Sequence, residues 1–182
     1  MKIPLIAIAV ILIFSSNSCL FADEPSELFI QLRDMDSTIF EEGFNKCNEE
    51  VLRSVLHEDL EFLHDLSGES EFDGFIKSIQ ENICSNPHGK LTRKVVPESL
   101  SVFPLKKDGT TYAAVQFGAH EFYFTPNGGS ANRVSSGRFI HTYFLNEGEW
   151  KLKRVISYDH QSASPDEPRE IERPPEPIRG AN

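Results

Sequence analysis

The stretch TYAAVQFGAHEFYF, residues 111–124, decides the fold class. Read with a period of two, it carries apolar residues on both faces. Ala113, Val115, Phe117 and Tyr123 fall on one face; Tyr112, Ala114, Phe122 and Phe124 fall on the other. A strand apolar on both sides needs cover on both sides. Gly118 marks a bend or a close backbone approach within it.

Working outward, strand-like runs lie on either side. LTRKVV (91–96) and SLSVFPL (99–105) flank Pro97-Glu98 and read as one long strand bent at a bulge. A Gly/Asn loop, TPNGGSAN (125–132), leads into RVSSGRFIHTYFL (133–145). The turn NEGE (146–149) then joins that run to WKLKRVISYDH (150–160) as a hairpin.

The first third of the chain is helical by the same test. Leu28, Phe29, Leu32, Met35, Ile39, Phe40 and Phe44 recur at helical spacing and predict a helix over 25–47, with Pro25 in its first turn. Asn48 is a cap for a second, short helix over 48–56, and Glu49 and Glu50 suit its dipole. DLEFLHD (59–65) alternates like a strand and stops at the turn LSGES. Ser70 then caps a third helix whose stripe of Phe72, Phe75, Ile76, Ile79 and Ile83 reads as core. Three helices around one strand, followed by a run of antiparallel strands, make an α+β plan with the helices packed on one face of a curved sheet.

Both ends differ from this domain. MKIPLIAIAVILIFSSNSCLFADEP opens with one Lys, continues through an apolar run from Ile6 to Phe14, and closes on small polar residues. That is the build of a secretory signal peptide, too short for a permanent span, with the cut expected after Ala22. Lipid attachment at Cys19 is the rival reading. Residues 162–182 are dense in Pro and charge and nearly empty of large apolar groups, as in a disordered tail. The domain between covers residues 23–161. No other apolar run is long enough to span a bilayer, so no stable membrane span is expected.

The chain carries a formal charge of −10, which becomes −11 when the leader's Lys2 is removed. Such a balance argues against nucleic acid, whose phosphates demand a basic face, and against anionic lipid surfaces. Apart from Cys19, the cysteines are Cys47 and Cys84. Both lie near the ends of predicted helices, which suits one disulfide in an exported protein; two buried thiols are the alternative. If formed, the bridge adds ~3–4 kcal/mol in the chain-entropy model.

The informative residues are polar groups set in apolar strands. His64 and Asp65 end the first strand. Arg93, His120, His141 and Arg154 interrupt later ones, and Tyr158, Asp159 and His160 close the last. Alternation in 150–160 places Trp150, Leu152, Arg154, Ile156, Tyr158 and His160 on the helix-facing side and Asp159 outside. A buried Arg needs an acid partner, which Asp65 or Asp159 would supply. Any one strand His is more often an ordinary hydrogen-bonded core residue. As a set, these residues outnumber what one small core satisfies.

His64, His120, His141 and His160 would offer imidazoles to zinc, but no two are close in sequence as in HExxH, and no metal is expected. There is no GxSxG, GxGxxG or GKS/GKT pattern, and no cofactor is expected.

LEFLHDLSG, LTRKVVPESLSVFPL, VQFGAHEFYF, GRFIHTYF and WKLKRVISYDH, in this order, resemble the nuclear transport factor 2-like superfamily, and its SnoaL-like branch of exported bacterial domains in particular. The resemblance covers residues 26–161. It is carried most specifically by HD-x-x-G (His64, Asp65, Gly68), GAH-x-F (118–122) and SYDH (157–160). It implies a cone: a strongly curved antiparallel sheet wrapped around three N-terminal helices, with a pocket at the open end and frequent dimerisation. The superfamily includes ketosteroid isomerases, polyketide cyclases and dehydratases beside many binding domains, so fold alone chooses no function. Its enzymes use an Asp base and Tyr or protonated Asp donors. Asp65 or Asp159 would be such a base and Tyr158 or Tyr143 such a donor, though no isomerase motif matches residue by residue.

The expectation is therefore an exported homodimer that binds a small, anionic or carbonyl-bearing molecule. His64, Asp65, Arg93, His120, His141, Arg154, Tyr158 and His160 are the candidate ligand contacts. An acid–base isomerase or hydro-lyase drawing on Asp65, Asp159 and His160 is the alternative, and a protein-interaction module the third reading. The dimer contact is expected on the outer sheet face.

Overall fold

Helix formation begins where Ser26 caps the chain, its hydroxyl accepting from the Phe29 N–H, so Pro25 lies just before the helix and not in its first turn. The computed structural model describes residues 25–163. The signal-peptide and Cys19 readings, and nearly all of the Pro-rich tail, lie outside them. Helix α1 (Glu27–Ser37) continues without a break into a π-helical stretch, Thr38–Asn45. Helix α2 (Glu49–Val55) is capped by Asn48 as its sequence predicts. It lies so close to the π-helical stretch that a Cβ on Gly43 would sit 2.5 Å from Leu52.

Strand β1 (Leu56–His64) is followed by β2 (Gly68–Glu71) and by α3 (Phe72–Ser78), which runs on as a π-helical Ile79–Cys84. Ser70 does not cap α3. It pairs with Phe62 inside the β1–β2 hairpin, and the helix starts one residue after Glu71. Then come β3 (Gly89–Val95), a 3-10 turn at Pro97–Ser99, and β4 (Ser101–Lys107). Three long strands finish the domain: β5 (Thr110–Pro126), β6 (Asn132–Asn146) and β7 (Glu149–Ser162).

The sheet runs β2-β1-β7-β6-β5-β3, with β4 also on β5, and is not closed. Two expectations need correction. The 91–105 region is two strands, because the turn at Pro97–Ser99 interrupts pairing and both pieces hydrogen-bond to β5 in sequence. The sheet is mixed rather than wholly antiparallel, since β1, far from β7 in sequence, lies parallel to it.

The helices fill the inner face. Leu32, Ile39, Leu52, Leu60, Ile76, Tyr143 and Leu152 are almost wholly buried there. The ends of the two long helical runs are joined by the Cys47–Cys84 disulfide, with Cα atoms 5.8 Å apart. At the outer edge of β3, the Asn45 amide accepts from Arg93 N–H (2.8 Å) and donates to Arg93 C=O (2.9 Å). A side chain thus stands in for the missing neighbour strand.

Candidate functional site

One row of polar residues crosses the apolar interior, and two irregularities in β7 build half of it. Leu152 pairs with Tyr143 and Arg154 with Thr142, leaving Lys153 as an extra residue. An inserted residue flips the side-chain alternation that follows. Val155 and Ser157 therefore face inward beside His141 and Phe139.

Arg154 and Tyr158, expected inside, point outward. Arg154 pairs with Glu61 across β1, and Tyr158 is exposed. A second irregularity follows at Asp159, whose φ is 57°, and it restores the inward direction at His160. Asp159 itself is exposed and lies 3.5 Å from Arg138, so it joins no interior cluster.

His160 meets the end of β1. Its Nδ1 is 2.6 Å from Asp65 Oδ1, and its backbone N–H donates to Asp65 Oδ2 at 3.0 Å. These bonds, the backbone one foremost, hold the Asp65 carboxyl below its usual range. His160 Nε2 lies 3.3 Å from Ser157 Oγ. The His64 ring stacks on His160 with centroids 4.3 Å apart, and His64 Nδ1 accepts from the Leu66 N–H. Burial first, then the neighbouring His160, lowers the His64 pKa. The cluster sits at a rim: the His160 side chain is 4% exposed, but Asp65 is 33% exposed.

Behind this rim lies Arg93, 1% exposed. Its Nη1 is 2.6 Å from Asp36 Oδ2, its Nε donates to His120 Nδ1 at 3.3 Å, and its guanidinium lies 3.7 Å from the centroid of Phe40. Neither Asp65 nor Asp159 supplies its acid. The partner is Asp36 on α1, which sequence reading missed although it stands four residues from both Leu32 and Phe40 on the apolar stripe. His141 Nδ1 completes the group, 3.3 Å from Gln116 Oε1 and 3.7 Å from Asp36 Oδ1. Burial, with Arg93 second, pushes both His120 and His141 well below the usual imidazole pKa. Both are neutral at pH 7. Burial and Asp36 drive the Tyr143 phenol well above its usual value, so it stays protonated.

Tautomers follow from these partners. His120 receives the Arg93 donor on Nδ1, so its hydrogen sits on Nε2. His160 gives its Nδ1 hydrogen to Asp65, so its Nε2 carries a lone pair. Both Nε2 atoms lie 3.0 Å from the place where a Gly137 Cβ would be. Glycine places no side chain between them, so a donor and an acceptor face each other across a gap too narrow for a methyl group. Buried atoms without a hydrogen-bond partner among the described residues include Asp36 Oδ1, Arg93 Nη2 and His120 Nε2, all in this one row.

The four histidines weighed as zinc ligands do not converge. Among the described residues, His64 and His160, together with Asp65, place donor atoms within 4.8 Å of one another, while His120 and His141 stand apart from that group. A separate open cavity of about 450 Å³ lies beside the disulfide, between Lys46, Lys90 and the Gly128-Gly129 loop. None of the row's residues lines it.

No family model matches the sequence, and no curated protein gives a significant match. Solved structures do match. A conserved protein from Planctomyces limnophilus is 16% identical, with a TM-score of 0.59 over 74% of this chain and 96% of that one. A nuclear transport factor 2-like superfamily protein from Salmonella enterica serovar Typhimurium is 11% identical, with a TM-score of 0.58 over 77% and 94%. The hexachlorocyclohexane dehydrochlorinase LinA-type3 from Novosphingobium barchaimii is 13% identical, with a TM-score of 0.56 over 75% and 90%. The chain therefore has the nuclear transport factor 2-like cone fold. At these identities the likeness speaks for the fold alone.

Proposed function

We propose that this chain binds a small molecule bearing a carbonyl or carboxylate group at the Asp65–His160 rim beside Gly137, and that the Asp65–His160 pair moves a proton on it. The observation that carries this reading is the convergence of His160 Nε2 and His120 Nε2 beside Gly137, where no side chain separates them. One nitrogen accepts a proton; the other donates a hydrogen bond. Asp65 holds the imidazole by its Nδ1–H and stabilises the imidazolium formed when Nε2 takes a proton.

A C–H next to a carbonyl would lose its proton to His160 Nε2. Its electron pair would move onto the carbonyl oxygen, which accepts from His120 Nε2–H. Return of the proton elsewhere gives an isomer; loss of a neighbouring leaving group gives an elimination. Arg93, behind His120, makes the corner favourable to negative charge.

The test is hydrogen–deuterium exchange next to the carbonyl in a panel of small ketones and 2-oxo acids, run in D2O with EDTA. Exchange by the wild type that is lost in His160→Gln supports the reading. Equal rates in both would remove it. A second reading, ligand retention without turnover, draws on the buried Arg93 Nη2 and Asp36 Oδ1, which a polar ligand would satisfy. It predicts an extra mass in the native mass spectrum that vanishes on denaturation, with no exchange.

The setting proposed for this activity is outside the cytoplasm, and the assembly a homodimer. The N-terminal leader pattern and the Cys47–Cys84 bridge support export. Among the described residues, no helix is long and apolar enough to cross a membrane. The dimer reading draws on a row across the outer sheet face, Leu63, Ile156, Ile140 and Phe117 in register. With Phe103 and Val115 beside them, these side chains offer an apolar surface that no helix among the described residues covers. Light scattering on a size-exclusion column tests it, and a monomer at micromolar concentration would contradict it.

A further inference from the structure

The rim cluster carries a second chemistry that proton transfer does not use. His64 Nδ1 accepts the Leu66 N–H at 3.1 Å, which makes it a lone-pair nitrogen. That lone pair lies 3.5 Å from Asp65 Oδ1, another electron-rich atom. Once the Leu66 N–H is released, these two electron-rich atoms can share a cation placed between them. The same oxygen is bonded to His160 Nδ1, 2.6 Å away, and the donor atoms of the three residues all lie within 4.8 Å of one another. We infer that His64 Nδ1, Asp65 Oδ1 and His160 Nδ1 form a binding site for one divalent transition ion of borderline softness, with Zn²⁺ the type case.

Donor type, spacing and surroundings agree with this. Two imidazoles and one carboxylate are the ligand types of zinc and its neighbours rather than of calcium or magnesium. Bond lengths of about 2.0–2.1 Å place tetrahedral ligands roughly 3.3 Å apart. The His64–Asp65 spacing is already close to that, and the His160–Asp65 contact need open by less than an ångström.

Outer partners are in place as well. Asp65 Oδ2 is pinned by the His160 N–H, and a His160 ligating through Nδ1 would turn its Nε2–H to Ser157 Oγ, 3.3 Å away. The turn after His64 is exposed, with Leu66 74% accessible, so it can release the Leu66 N–H and leave water-filled coordination positions open. Ion binding and proton abstraction exclude each other, because a metal on Nδ1 replaces the hydrogen that Asp65 holds and moves it onto the basic nitrogen. The inference rests on this geometry and not on the proton-transfer reading.

The test uses the mature protein without an affinity tag, stripped with EDTA and titrated calorimetrically with ZnCl₂ in the absence of substrate. The expected result is one chelator-reversible ion per chain. His64→Ala should lose it while His88→Ala, in the exposed turn before β3, retains it. Loading with Co²⁺ should give visible absorption bands of a site with nitrogen ligands, a readout that holds even if a variant folds poorly. No saturable binding by the wild type, or equal binding by His64→Ala, would overturn the inference. Because the exchange assay contains EDTA, failure here leaves the proton-transfer reading standing, and failure there leaves this one standing.

Discussion

His64 and His160 lie ring on ring, 4.3 Å between centroids and 14° between planes, with Asp65 bonded to the second of them. They come together because β1 lies parallel to β7 and ends where β7 bends at Asp159. Two strand ends that could have frayed are fixed instead, and the rim of the cone is chemically defined by that pairing.

The interior ion pair should dominate stability among single-site changes. Arg93 and Asp36 are both almost fully buried. Asp36→Ala leaves the guanidinium uncompensated and should cost about 3–5 kcal/mol, whereas replacing both by apolar residues of similar volume should cost much less. Urea unfolding of the two single variants and the double variant gives the comparison. A double variant as unstable as the worse single one would contradict the account.

Acid should weaken the fold through the neutral interior histidines. His141 is held well below its ordinary value by burial and by Arg93, with Asp36, Gln116 and Tyr143 also facing it. The unfolded chain, at about 6.5, takes up protons that the folded one refuses. Stability is therefore full above that value and is lost as pH falls from it toward the lower folded value. His120 acts in the same direction. Denaturant midpoints from pH 8 to pH 5 should fall, and His141→Asn should flatten the slope.

Gly137 should tolerate no side chain. A Cβ there would sit 2.8 Å from His160 Cδ2 and 3.0 Å from both Nε2 atoms. Gly137→Ala should cost about 1–3 kcal/mol, as overpacking does, and remove deuterium exchange more completely than it removes structure. Thermal unfolding and the exchange assay on one sample separate the two effects.

The disulfide should act on the unfolded chain. Its cysteines are separated by 37 positions, so Cys47→Ala with Cys84→Ala should lose ~3–4 kcal/mol in the loop-entropy model. Because neither cysteine touches the polar row, the exchange rate of the folded variant should equal that of wild type.

Much of this was legible in residue order. The stripe from Leu32 to Phe44 and the alternation in 111–124 specify helix and strand because burial on one or two faces leaves a period. The helix-end positions of Cys47 and Cys84 pointed to their bridge. The rim residues His64, Asp65 and His160 stood out as polar groups ending apolar strands. What escaped has a physical reason in each case. The extra residue at Lys153 and the left-handed backbone at Asp159 reverse side-chain direction without any compositional signature, so Arg154 and Tyr158 were placed inside. Asp36 was hidden in an otherwise apolar stripe, visible only once its partner on β3 was known. The parallel seat of β1 depends on sheet order, which local periodicity does not encode.

The positions of two ring hydrogens decide whether the Gly137 corner holds a base. Long-range ¹H–¹⁵N NMR of the histidine rings, at pH 7 in EDTA, reads this for His120 and His160 in the wild type. The predicted result is His160 with its hydrogen on Nδ1 and His120 with its hydrogen on Nε2, an acceptor facing a donor across Gly137. His160 with its hydrogen on Nε2 would contradict the account, because the corner would then hold two donors and no base.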